Sequence, residues 1–89
     1  MIRIERVERK DQNEFLVVVT EGGSSTKHTV ALDEDYYQKL TKGRISKEQL
    51  IEKSFSFLLA RESKESILRR FNLRVIKRYF PEYESRVRV

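Results

Sequence analysis

Five cations near the C-terminal end, Arg69, Arg70, Arg74, Lys77 and Arg78, are the residues of this chain best suited to chemistry. A guanidinium grips phosphate or carboxylate through a planar fork of N–H donors, and lysine adds a mobile point charge. The chemistry on offer is therefore recognition of an anion rather than bond making. Arg61–Val89 holds nine Lys/Arg against four Asp/Glu, and the sixty residues before it are balanced, so this stretch carries the whole net charge of +5. Arginine outnumbers lysine there by seven to two. A field so lopsided marks where nucleic acid or an acidic protein would dock.

Other candidates are thinner. His28 is the single histidine and falls on the apolar phase of a β-like segment, where a structural role outweighs that of a catalytic base. With one histidine and no cysteine, multi-histidine and thiolate metal sites are excluded, as are disulfides. Asp33-Glu34-Asp35 lacks the glycine and ligand spacing of a calcium loop and reads as the start of a helix. Gly22-Gly23-Ser24-Ser25 has no following Lys-Ser/Thr and no helix after it, so it reads as a hairpin turn, not a phosphate cradle. No serine lies in a nucleophile-elbow context. We expect no enzyme, no cofactor and no metal.

The elements that position these residues follow from periodicity. Ile2 and Ile4 alternate with charges, Phe15–Thr20 is β-branched and apolar, and Thr26–Leu32 returns after the glycines. A two-residue turn at Gly23-Ser24 sets Val19 opposite His28, Val17 opposite Val30 and Phe15 opposite Leu32. Val7 falls out of phase with Ile2 and Ile4, which a bulge near Glu5–Arg6 or a shorter strand would account for. Beyond Leu32 the period becomes helical. Asp33 is placed to cap a short helix that ends near Thr41. Ser46-Lys47-Glu48-Gln49 forms a capping box, with Ile45 and Leu50 as its hydrophobic staple. The helix from there to about Arg61 carries Leu50, Ile51, Phe55, Leu58 and Leu59 on one face.

Ser63 is placed to cap a third helix bearing Ile67, Leu68 and Phe71. A break at Asn72 keeps the apolar arc narrow and starts a fourth short helix, with Leu73, Ile76, Tyr79 and Phe80 inward. Pro81 ends it. Tyr79 and Phe80 are expected in the core and Tyr83 at the surface.

These readings predict an α+β fold: a three-stranded antiparallel meander, then about four helices packed on one sheet face. Residues 1–84 form a single domain and 85–89 a frayed tail. Two DNA-reading motifs are mimicked without being matched. Glu65–Phe80 resembles a helix-turn-helix whose turn has shrunk to Asn72. Lys27–Leu59 resembles a ribbon-helix-helix whose first helix is a turn short.

Phe55–Glu62 (FSFLLARE) and Glu65–Tyr83 (ESILRRFNLRVIKRYFPEY) resemble a group of small prokaryotic proteins with no established activity. The likeness extends over His28–Glu84. Its most distinctive pattern is Ile67-Leu68-Arg69-Arg70-Phe71 followed by Tyr79-Phe80-Pro81-Glu82-Tyr83. It implies a self-standing unit and brings no functional residues with it. Without a signal-like or membrane-spanning apolar run, the expected setting is the cytoplasm. The expected function is a non-catalytic binding module that contacts nucleic acid through Arg69, Arg70, Arg74, Lys77 and Arg78. The alternative is a protein-interaction or assembly module with no nucleic-acid role.

Overall fold

Phe15, Val17 and Val19 alternate along β2 (Glu14–Glu21), and Thr26, His28 and Val30 alternate along β3 (Ser24–Ala31). All six are buried on one face of an antiparallel pair, in a computed structural model that describes residues 2–89. The face is the expected one, but the register is not. Val17 lies opposite His28 and Phe15 opposite Val30, so the turn is Gly22-Gly23. A slip of two residues preserves which side chains face the core, because strand side chains alternate with period two. Gly22 takes a φ of 62°, the left-handed region that a two-residue hairpin demands. Ser24 instead opens β3, its hydroxyl donating to the Glu21 carbonyl at 3.2 Å.

Strand β1 (Ile2–Arg9) joins the other edge of β2, and its ladder shifts between Ile4 and Arg6. Glu5 is thus the extra residue of the expected bulge, and it brings Val7 back to the core side with Ile4.

Helix α1 (Glu34–Thr41) and helix α2 (Lys47–Leu59) follow. The capping box at Ser46 is complete. Ser46 Oγ accepts the Gln49 N–H at 3.0 Å, and Gln49 Oε1 accepts the Ser46 N–H at 2.8 Å. Asp33 holds the N-cap position of α1 without making a capping bond; its carboxylate takes Arg74 instead, at 2.8 Å. Leu50, Ile51, Phe55 and Leu58 of α2 are buried against the sheet, with Phe57 beside them.

The helix expected from Ser63 through Phe71 does not form. One 3-10 turn spans Lys64–Ser66, and Arg70–Asn72 is strand β4, paired in parallel with β3. The sheet is therefore four-stranded and mixed, in the order β1-β2-β3-β4, where three antiparallel strands were expected. The cause is tertiary. Strand β3 has an open edge whose polar groups need partners, and the extended segment supplies them. The Thr29 N–H donates to the Arg69 carbonyl at 2.7 Å, and the His28 ring bonds the Leu68 carbonyl at 2.8 Å. Without a helix over Glu65–Phe71, the helix-turn-helix likeness falls as well.

Asn72 does start the next piece. Its side chain accepts the Arg74 N–H at 3.1 Å, capping a 3-10 turn over Leu73–Val75 that runs into helix α3 (Ile76–Tyr79). Phe80 leaves helical geometry at φ −132°, as a residue before proline should. Helix α4 (Tyr83–Val87) then packs on α2. The segment 85–89, expected to fray, is instead drawn in. Val87 is buried, and the Val89 N–H donates to the Leu40 carbonyl at 3.0 Å. Among the described residues no helix is long and apolar enough to cross a membrane.

The reciprocal cap fixes where α2 begins, and α2 carries the centre of the core. Ser46→Ala lowers unfolding free energy by about 1 kcal/mol, read by urea denaturation, with faster amide exchange at Gln49. An unchanged midpoint with unchanged exchange contradicts this assignment.

Candidate interaction surface

The five cations expected to form one basic face differ in the partners that the fold brings to them. Arg70 opens β4 and bonds Glu14 at 3.1 Å. Arg74 pairs with Asp33, and its guanidinium lies 5.2 Å from the centre of the Tyr36 ring. Lys77 on α3 is 3.6 Å from Glu84. Of these five, only Arg69 and Arg78 are without a carboxylate partner among the described residues. Exposed pairs of this kind hold weakly, roughly 0–1 kcal/mol each, yet they cancel the local field that an anion would feel.

Lys77 and Arg74 belong to a polar cluster that ties α1 to the C-terminal helices. The Tyr36 hydroxyl donates to Glu84 Oε2 at 2.7 Å, and Lys39 approaches the same carboxylate at 3.6 Å. That hydroxyl, with the two lysines, holds the Glu84 carboxyl below its ordinary range, while burial pushes Tyr36 up. In the acidic triplet, Glu34 is likewise committed, to Lys47 at 2.9 Å and Gln38 at 2.9 Å. No cluster of three or more His, Cys, Asp or Glu side chains gathers among the described residues.

Tyr79 and Tyr83 exchange the places expected for them. Tyr83 is fully buried, its hydroxyl 2.7 Å from Ser54 Oγ. Ser54 donates to the Leu50 carbonyl at 2.8 Å, so its single proton is used and Tyr83 must be the donor between the two hydroxyls. Tyr79 is 67% exposed. The break at Pro81 explains the exchange: it starts α4 in a new direction and turns Tyr83 onto Phe57, ring centres 5.4 Å apart.

His28 holds this region in place. Nδ1 faces the Leu68 carbonyl, which only accepts, so the ring must be the donor there. Nε2 then accepts from the Thr26 hydroxyl at 2.8 Å, and the ring meets Phe55 edge-on at 5.4 Å. Burial lowers the imidazole below its usual value, against an opposing effect of the Leu68 bond.

Sequence periodicity gave no sign of the most distinctive surface. A groove of about 210 Å³ opens between the end of α2 and the β4–α3 segment. Buried Leu58, Phe71 and Ile76 form its floor, with Leu68, Val75, Tyr79 and Phe80 around them. Only three large apolar side chains are exposed among the described residues, and two of them, Leu68 and Tyr79, border this groove. Glu62 also lines it. Its side chain has no hydrogen bond or ion pair among the described residues, and burial alone raises its carboxyl. The neighbouring Arg61 is committed elsewhere, to Glu82 at 3.2 Å and to the Phe57 carbonyl at 3.0 Å. Finding the groove in the sequence would have required knowing that β4 pairs with β3.

No family model, curated protein or solved structure matches this chain.

The His28 geometry sets a pH dependence. Its folded value lies below the ordinary 6.5, so the unfolded chain takes up the proton first. The stabilisation from neutral His28 is complete above that value and falls away as pH drops through the lower folded one. Glu34, Glu65, Glu82 and Glu84 are all shifted down from 4.5 and act only at more acid pH. Between pH 7 and 5.5 the wild type therefore loses more stability than His28→Gln, measured by urea unfolding at each pH. Parallel profiles for the two proteins refute this.

Proposed function

We propose that this protein is a non-catalytic protein-interaction module that receives apolar side chains of a partner in the groove bordered by Leu68 and Tyr79. The observation that carries the reading is the coincidence of exposed apolar side chains with a concave, mostly apolar surface. In a domain this small, apolar surface is scarce and most of it is needed for the core. Two large side chains left outside at one groove represent stabilisation forgone, on the order of 1.5–3 kcal/mol each if buried. Such a patch is characteristic of an interaction site. Its size fits one or two side chains, since drug-sized ligands need about 300–1,000 Å³.

Peptides selected from a displayed library against the folded protein test this reading. They shift amide resonances of Glu62, Leu68, Phe71 and Tyr79, and Leu68→Ser with Tyr79→Ser weakens them at least tenfold while the melting temperature holds. Selected peptides that map to the outer face of the sheet overturn it.

Nucleic-acid contact remains the second reading, favoured by the exposure of Arg69 and Arg78 and the isoelectric point near 9.7. With two free cations in place of four or five, the slope of log K against log salt is about −1.8 for duplex DNA. Raising salt from about 50 to 200 mM then weakens binding roughly tenfold. A slope near −4 with tight binding instead means that the paired arginines release their carboxylates, and nucleic acid becomes the leading reading.

A further inference from the structure

The geometry points to a second copy of this chain as the occupant of the groove, in a two-fold symmetric dimer. This rests on the groove reading above. The groove asks for an apolar anchor with a cation beside it: its walls are apolar and its one carboxylate, Glu62, has no partner among the described residues. Glu62 is only partly buried, and a carboxylate partly desolvated beside apolar walls favours a cation brought by a partner.

At two places on the groove's border the chain carries an apolar side chain with a cation next to it in sequence. Tyr79 and Leu68 are exposed, and their sequence neighbours Arg78 and Arg69 have no carboxylate partner among the described residues. These are the two expected cations that the fold leaves without a carboxylate, and each adjoins one of the two exposed apolar residues of the groove.

Such a patch is self-complementary. In a closed two-fold contact the same surface meets itself, and if one residue touches another the reverse contact follows. Tyr79 of each copy enters the groove of the other, and Arg78 of each meets the other's Glu62. A patch of this size makes a weak dimer, because stable interfaces bury about 1,200–2,000 Å² in total. The net charge of +5 per chain opposes association at low salt and is screened at physiological salt.

Sedimentation velocity on the intact chain from about 10 µM to 1 mM, in physiological salt, tests this. The weight-average mass rises from 10.7 kDa toward twice that value. Tyr79→Ser, Glu62→Arg and Arg78→Glu each weaken association about tenfold or more, since each reversal places like charges together twice in the dimer. Arg78 and Tyr79 are exposed, so their substitutions leave the melting temperature unchanged. The decisive arm mixes the two reversals. Glu62→Arg with Arg78→Glu restores both pairs, so the mixture associates where neither variant does alone. A monomer at 1 mM overturns the dimer, as does a dimer indifferent to these changes. If groove-directed peptides still bind that monomer, the groove reading stands without it; if they do not, both fall.

Discussion

The bond from His28 to the Leu68 carbonyl joins residues forty positions apart and fixes where the C-terminal third meets the sheet. Everything at the groove follows from that anchorage. A neutral ring with its proton on Nδ1 satisfies the carbonyl just before β4, and Thr26 satisfies the other nitrogen. The adjacent Thr29 N–H to Arg69 carbonyl bond then starts the parallel ladder. Three residues of strand are too few to persist alone, so the histidine is part of what makes β4 a strand at all. A charged ring would force the Thr26 hydroxyl to turn and accept instead of donate, and would place its charge in a buried site beside Phe55.

Once β4 is set, side-chain directions follow from alternation. Phe71 turns inward to meet Phe55, ring centres 6.0 Å apart, while Arg70 turns outward to Glu14. The chain then coils through Leu73 and Ile76, both buried, before Pro81 redirects it into α4. Tyr83 locks that return by its hydrogen bond to Ser54, a polar contact that places one side of α4 against one turn of α2. The groove is the space left between these two anchorages. Its walls come from the segment stretched between β4 and α4, and its floor from the end of α2 and the inward face of that segment.

Local chemistry was legible wherever a short stretch of sequence decides the outcome. The capping box at Ser46, the bulge at Glu5, the break before Pro81 and the cap at Asn72 each depend on a few neighbouring residues, and each forms. The hairpin was half legible: alternation chose the buried face, but both turn placements satisfy that face, because moving the turn by one residue slips the pairing by two. The segment from Ser63 to Asn72 was illegible for a definite reason. Ile67 and Phe71 are four apart, a spacing that suits a helix, and the competing structure is stabilised by the edge of a strand forty residues earlier. Tyr79 and Tyr83 show the same limit, since the turn at Pro81 ends α3 without revealing which way the next helix points.

Charge along the sequence is redistributed by the fold for a related reason. The excess of cations in Arg61–Val89 is real, but the fold brings acids from the balanced part of the chain to meet it: Glu14 to Arg70, Asp33 to Arg74, Glu21 to the buried Lys64. Each such pair spends an acid that local counting had set against a cation of the first sixty residues. The cations without a carboxylate partner among the described residues accordingly lie on several elements, among them Lys27 on β3, Lys42 and Arg44 after α1, and Lys53 on α2. Net charge is conserved by folding while its distribution is not. A concentrated phosphate-binding face needs several free cations within about a Debye length, roughly 8–10 Å. The apolar groove needs no such concentration. Its character rests on Leu68 and Tyr79 lying outside the core, and pairing of charges elsewhere leaves that unchanged.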